Sequence, residues 1–368
     1  MSDPTEEILY ANALNQIREL GPARFGKLRA HFGSMKHAWQ APLYELLHSG
    51  LDARVAETVV SRRKEISPEE EFTRLAQHGV EVILPSSSDY PALLHQINNA
   101  PALLYLRGNR AALNIDPSIA VVGTRKVSPY GKQAATRISS ELAQAGVCVV
   151  SGLATGVDGI AHESVVSVRG TTIAVLGSGI DEGTIYPSLH RVLATRIIEG
   201  GGALISELPL FTPPLKMHFP FRNRIIAGMT QAAVIVEADE RSGSLITALA
   251  ALDYNREVFA VPGSIFSATS LGPNRLLMEG ARPALSAKQI LEDLGLQNLR
   301  AEQKAEAILP ETHLEEKLLP LLSTEPVHIN ALIATTGLPP GDVASTLTMM
   351  ELKGKVRNLG AMQYVRAR

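Results

Sequence analysis

The chain has 368 residues, of which 45% are hydrophobic and 20% charged, with a net charge of −2; this describes two or three folded domains and excludes a disordered chain. No apolar run approaches the ~20 residues of a membrane span, and the lone Cys148 excludes an internal disulfide. The near-zero charge also excludes a broadly basic coat, so any polyanion site must be local.

Residues 1–70 carry helical periodicity only: Leu14, Ile17, Leu20, Phe25, Leu28 and Phe32, interrupted at Gly21-Pro22 and Gly33-Ser34, then Leu43, Leu46, Leu47, Val55, Val59 and Val60. A small all-α domain of the helix-hairpin-helix or sterile-alpha-motif kind is expected, and many such bundles bind proteins. The acidic start MSDPTEEILY lacks a signal peptide's basic and apolar pattern. Together with Cys148 in the apolar run VCVV, it leads us to expect a reducing cytoplasm.

Across residues 71–295 short β-branched runs alternate with helical stretches: VEVILP, IAVVG, VCVVSG, TIAVLGSG, ALISE, AVIVEA and EVFAVPG. Strands this apolar are buried on both faces, so the alternation predicts βαβ units and an α/β doubly wound parallel sheet, Rossmann-like and extended. Residues 296–310 are polar and read as a linker. Residues 311–368 give three helices, near Leu314–Leu322, Ile329–Thr336 and Asp342–Leu352, then a small hairpin, which is a winged-helix pattern. Its recognition helix offers Asp342 and Glu351 with Lys353 only at its end, and is poorly equipped to read duplex bases.

Ligands of open parallel sheets bind beyond the carboxyl ends of the strands. Four strands here run into glycine-rich or small-residue loops, presenting Gly123, then Gly152 and Gly156, then Gly177 and Gly179, then Ser242, Gly243 and Ser244. Each could bring backbone amides to a phosphate, and each could equally be an ordinary βα turn, since no strict G-x-G-x-x-G or Walker lysine occurs. Two stretches hold no acid. Ser118–Ser140 carries Arg125, Lys126, Lys132 and Arg137, and Leu208–Val236 carries Lys216, Arg222 and Arg224 with His218. The segment FPFRNRIIAGMT (219–230) follows prolines 209, 213 and 214. It sets Phe219 and Phe221 among cations, the pairing of phosphate-binding charge with a stacking face that grips single-stranded nucleic acid. Phe221 is the better candidate for the core, and Phe219 fits core and stacking equally. Arg222 can alternatively pin its loop through a carboxylate such as Glu207.

Enzyme chemistry finds little support. Asp158 and His162 lie four apart, but no third metal ligand has suitable spacing, and capping and packing explain them better. Ser151 lacks the G-x-S-x-G frame of a nucleophile elbow. Asp239 and Glu240 in ADERSG are better read as fixing their loop than as acid–base groups.

The ordered set VVGTRKVSPYG, SGLATGVDGIAH, TIAVLGSGI, GGALISELP, FPFRNRIIAGMT, VEADERSGSLITA, EVFAVPG and GPNRLLMEGA resembles the DNA-processing DprA family, also called Smf. The resemblance implies an extended Rossmann-like core that dimerises, binds single-stranded DNA without sequence preference and loads the recombinase RecA during natural transformation, with no cofactor, metal or catalysis. Carried over by motif, Gly123, Arg125, Lys126, Lys216, Phe219, Arg222, Asn223 and Arg224 are the expected DNA contacts. IDEGTIYP (180–187) departs from the family spacing and is expected to reshape one rim of the cleft. The alternative is a Rossmann-like enzyme that binds nucleotides or hydrolyses nucleoside monophosphates; its P-G-G-x-G-T-x-x-E loop is replaced here by ERSGSLITALA.

Overall fold

The computed structural model describes residues 4–296, 312–323, 326–353 and 355–366. Nearly all of the expected linker, from residue 297 on, lies outside the described residues. Two units are described separately below: residues 1–294 and residues 295–368.

In the first unit a nine-stranded sheet is built from β1 (Glu81–Ile83), β2 (Leu104–Gly108), β3 (Ser118–Val122), β4 (Cys148–Ser151), β5 (Thr172–Val175), β6 (Ala203–Ser206), β7 (Ala232–Ile235), β8 (Glu257–Ala260) and β9 (Arg282–Pro283). Their order is β1-β2-β6-β5-β4-β3-β7-β8-β9. From β6 to β9 every pairing is parallel, which is the doubly wound sheet read from the βαβ alternation. The chain reverses direction of winding at β3, which pairs with β4 on one side and β7 on the other.

Two strands were not foreseen. β2 lies antiparallel to β6 and carries β1 antiparallel on its outer side. β2 grows out of the short apolar run ALLYL, and such a run does not distinguish a buried strand from a buried helix. β9 is two residues long and has no pattern to read.

Side chains alternate across the sheet, so each strand feeds two cores. Leu103, Tyr105, Ala174, Leu176 and Leu204 face one side, and Leu104, Leu106, Ile173, Val175, Ala203 and Ile205 the other. The first face is covered by α1 (Pro4–Asn15), α2 (Pro22–Phe32), α3 (Met35–Gln40), α4 (Leu43–His48), α5 (Ala53–Arg62) and α6 (Pro68–Gln77). This revises the boundary expected near residue 70. Leu14, Ile17, Leu28 and Val59 belong to one continuous apolar cluster with the sheet's Tyr105, Leu176 and Leu204. Helices of 6 to 12 residues are individually marginal and depend on such packing. Polar groups seal the joint: Tyr105 donates to Asn12 Oδ1 at 2.8 Å, and Asn15 Nδ2 donates to the Glu207 carbonyl at 3.0 Å.

The remaining helices are α7 (Ala92–His95), α8 (Pro129–Gln144), α9 (Val157–Ser167), α10 (Arg191–Glu199), α11 (His218–Gly228), α12 (Gly243–Asp253), α13 (Leu271–Met278) and α14 (Ala287–Asp293). Ser128 caps α8 by accepting from the Gly131 amide at 3.1 Å, with Pro129 pre-set for the first turn. Among the described residues no helix is long and apolar enough to cross a membrane.

The second unit has α15 (His313–Leu318), α16 (Ile329–Thr336) and α17 (Pro340–Leu352) beside a sheet of β10 (Val327–His328), β11 (Val356–Asn358) and β12 (Gln363–Arg366) in the order β10-β12-β11. This is the winged helix expected from the sequence. Its core of Leu318, Leu332, Val343, Leu347 and Met350 surrounds a buried ion-pair group. Glu315 accepts from Lys355 at 2.7 Å and from Lys353 at 2.9 Å. The exposed face of α17 presents Asp342, Ser345, Thr348 and Met349, with no cation to meet a DNA groove.

Candidate nucleic-acid interface

The carboxyl ends of β3, β4, β5 and β7 converge where the sheet reverses winding. β3 runs into Gly123 and Thr124, whose amide donates to the Glu237 carbonyl after β7 at 2.6 Å. Arg125 then emerges into solvent, and Lys126 beside it is also exposed. The Arg125 guanidinium lies over the Phe219 ring, 5.2 Å from its centroid. Tyr186 approaches the same ring from another side at 5.9 Å. Tyr186 belongs to the IDEGTIYP segment, which thus brings a 47% exposed side chain to the Phe219 ring. Asp181 of the same segment is buried and fixes the loop, accepting from the Phe211 amide at 2.7 Å and the Thr184 hydroxyl at 2.8 Å.

The RNR element departs from expectation. Arg222, expected on phosphate, is only 4% exposed. Its Nη1 donates to the Gly152 carbonyl at 2.7 Å and to the Val175 carbonyl, tying the ends of β4 and β5 together. Asp158, buried beside it, accepts from the Gly152 amide at 3.2 Å. Burial pushes the Arg222 pKa down to about 10, with Asp158 opposing and Arg125 adding to the fall. Burial likewise raises the Asp158 carboxyl, against the pull of Arg222. Arg224 is buried too, and it is Arg224, not Arg222, that pairs with Glu207. Asn223 donates to the Gly243 carbonyl at 3.0 Å and accepts from Arg222 Nε at 3.1 Å. All three side chains are committed to holding loops in place. The reason is that α11, which starts at His218, runs into the core: positions 224–228 are buried on every side of the helix, and Arg222 is drawn onto the ends of β4 and β5.

Phe221 also departs from expectation. Phe219 is half-buried against Arg125, Arg222 and Gly177, while Phe221, assigned to the core from sequence, is 61% exposed. Lys216, just before α11, is exposed and makes no ion pair among the described residues.

The glycines serve protein packing more than ligand approach. A Cβ at Gly152 would stand 2.5 Å from the Arg222 guanidinium, and one at Gly177 would stand 2.9 Å from the Phe219 ring. Comparable contacts fill the space at Gly123 (Val157), Gly156 (the Thr124 carbonyl) and Gly179 (Asp181 and the 209–211 backbone). Gly243 is the open one; Ser242 and Ser244 share a hydrogen bond of 2.8 Å at the start of α12.

The carboxylates weighed for catalysis are accounted for by structure. Asp239 and Glu240 are exposed, and Asp239 caps its own loop by accepting from the Arg241 amide at 2.9 Å. Glu237, which the sequence did not single out, is buried at the reversal point. It accepts from Ser128 Oγ at 2.6 Å, the Ser128 amide at 2.8 Å and Thr269 Oγ1 at 2.9 Å. His162 is buried on Thr172 at 2.7 Å, and burial lowers its pKa to about 3, so the ring is neutral. Among the described residues no three His, Cys, Asp or Glu side chains cluster as metal ligands. Burial also pushes the Cys148 thiol up to about 12.

The family profile described as DNA recombination-mediator protein A matches residues 81–295, and that of the DprA winged helix domain matches residues 302–362. The chain belongs to the DprA/Smf family. It is 33% identical to Protein Smf of Synechocystis over 98% of this chain and 99% of that protein. The X-ray structure of DNA processing protein A from Streptococcus pneumoniae superposes with a TM-score of 0.67 at 31% identity, covering 79% of this chain and 98% of that one. DNA processing protein A from Helicobacter pylori, solved for its single-stranded DNA binding mode, superposes at 0.53 with 29% identity over 58% of this chain and 95% of that one.

Proposed function

We propose that the protein binds single-stranded DNA without sequence preference in the cleft at the sheet's reversal point, and that it loads RecA recombinase on that DNA as a mediator of recombination in natural transformation. The observation that carries this reading is Arg125 stacked over Phe219 beside the exposed Lys126, with Lys216 a turn before the aromatic. Cations that meet phosphates and a ring that meets a base are both needed to hold a flexible single strand. The contacts named are to phosphate and to the face of a base, neither of which encodes sequence. Support comes also from family membership and from the Helicobacter pylori relative's binding of single-stranded DNA.

In this reading the DNA contacts are Arg125, Lys126, Lys216 and Phe219, with Tyr186 added, while Arg222, Asn223 and Arg224 shape the cleft without touching DNA. The protein acts by binding, not by catalysis, since Glu237 and Asp239 are already engaged in fixing loops. It acts as a homodimer through the Rossmann-like unit, where Ile265, Phe266, Met278 and Leu285 stand exposed. The test is a mobility-shift competition with labelled oligonucleotide. Excess unlabelled single strand of any sequence should displace the probe, whereas duplex and mononucleotides should not. Displacement by a mononucleotide, with its turnover, would instead establish the nucleotide-hydrolase alternative.

A further inference from the structure

α11 enters the cleft with two aromatic residues two positions apart. At about 100° per residue, side chains at i and i+2 leave a helix on nearly opposite sides. Phe219 accordingly faces Arg125, Tyr186 and Gly177. Phe221 is 61% exposed and lines a separate cavity of about 590 Å³ on the other flank of the helix. That cavity lies between the α1–α2 connection and the segment that leads into α11. Its apolar walls include Leu20, Leu176 and Pro209, and Arg18 stands at the α1–α2 side.

Arg18, His218, Arg222 and Arg224 bring positive or titratable groups to this cavity, and Glu207 brings an acid. Glu207 neutralises Arg224, and Arg222 is held by the carbonyls of Gly152 and Val175. Arg18 reaches only the Met217 sulfur, at 3.2 Å, and makes no ion pair among the described residues. The cavity therefore joins apolar walls and an aromatic face to a cation at its α1–α2 side. A nucleotide unit of the strand meets both: a π face for Phe221 and a phosphate for Arg18.

We propose that this cavity is a second base pocket of the single-strand site. The strand crosses the N-terminal end of α11 with its backbone at Lys216. One base stacks at Phe219, and another, on the far side of the helix, enters the cavity and stacks on Phe221. The inference rests on the function proposed above, and it makes the N-terminal helices part of the DNA site.

The test uses the full-length protein and oligonucleotides carrying 2-aminopurine at single positions, with affinity and quenching measured for Phe219→Ala, Phe221→Ala, Phe221→Trp and Arg125→Ala. Stacking on one aromatic contributes enough that Phe221→Ala should bind roughly 5- to 150-fold more weakly. Its salt dependence should be unchanged, and Phe221→Trp should restore affinity. Quenching should be lost at one position in Phe221→Ala and at a different position in Phe219→Ala. If Phe221→Ala binds as tightly as the parent while Arg125→Ala is weakened, the second pocket is wrong and the cleft stands. If Arg125→Ala and Phe219→Ala also bind fully, the cleft reading itself fails. Loss of quenching at the same position in both phenylalanine variants overturns the pocket as well.

Discussion

Replacing Arg222 separates a structural arginine from a DNA-binding one. Arg222→Ala removes two hydrogen bonds from a charged donor to the carbonyls of Gly152 and Val175, each contributing roughly 1.5–3 kcal/mol. It also leaves the buried Asp158 without the cation that faces it. Removing one partner of a buried charged pair typically destabilises by about 3–5 kcal/mol. Asp158 can lessen the loss by taking up a proton, since burial already raises its pKa, so the loss is expected to be smaller at pH 6 than at pH 8. The assay is urea denaturation followed by circular dichroism at both pH values, alongside single-strand affinity measured well below the unfolding midpoint. Arg125→Ala is the control: its side chain is exposed, so stability should hardly change while affinity falls. A folded Arg222→Ala protein with parental stability and strongly reduced affinity would refute the reasoning and return Arg222 to the DNA.

Affinity should fall with salt at about −0.7 log units per neutralised phosphate. Arg125→Ala and Lys216→Ala should each shallow that slope by roughly one contact, and Phe219→Ala should lower affinity with the slope intact; an unchanged slope in both charge variants would argue against phosphate contacts there. Gly177→Ala places a methyl 2.9 Å from the Phe219 ring and should displace that ring, weakening binding by an amount similar to Phe219→Ala; parental affinity would show that the ring position is immaterial. His162 is held neutral with its pKa lowered to about 3, so below pH 6.5 the unfolded chain binds the extra proton. Its contribution to stability is full at pH 7 and falls by about 2 kcal/mol by pH 5; His162→Gln should lose less stability over that interval, and an equal loss would place the titration elsewhere. Glu315→Ala removes the carboxylate that Lys355 and Lys353 share and should destabilise the second unit by about 3–5 kcal/mol, read as earlier proteolysis of residues 312–366.

Much of the molecule is legible from residue order alone. Strands such as IAVVG and VCVVSG are buried on both faces, and that burial writes itself as continuous apolar runs. The acid-free stretches around Arg125 and Lys216 marked where an anion could sit, because charge composition survives folding unchanged. The expected winged helix appears because its helices carry clean periodicity. By contrast, the antiparallel β2 could not be told from a helix, since ALLYLRG has no alternation.

Which cation meets solvent was decided only by tertiary structure. The string FPFRNR contains three groups that look equally free, but α11 runs into the core and is buried all round from Arg224 on, which takes in Arg222 and Arg224 and leaves Phe221 exposed. The partners of Arg222 were equally out of reach: the carbonyls of Gly152 and Val175 lie 70 and 47 residues away in sequence. Only the parallel pairing of β4 and β5 brings them side by side. The same holds for Leu14, Ile17 and Leu28, whose periodicity announces helices but not that the surface they cover is the sheet. Composition and period are local properties and are carried by the sequence itself, whereas the burial of a helix on every side and long-range apposition exist only once the chain has packed.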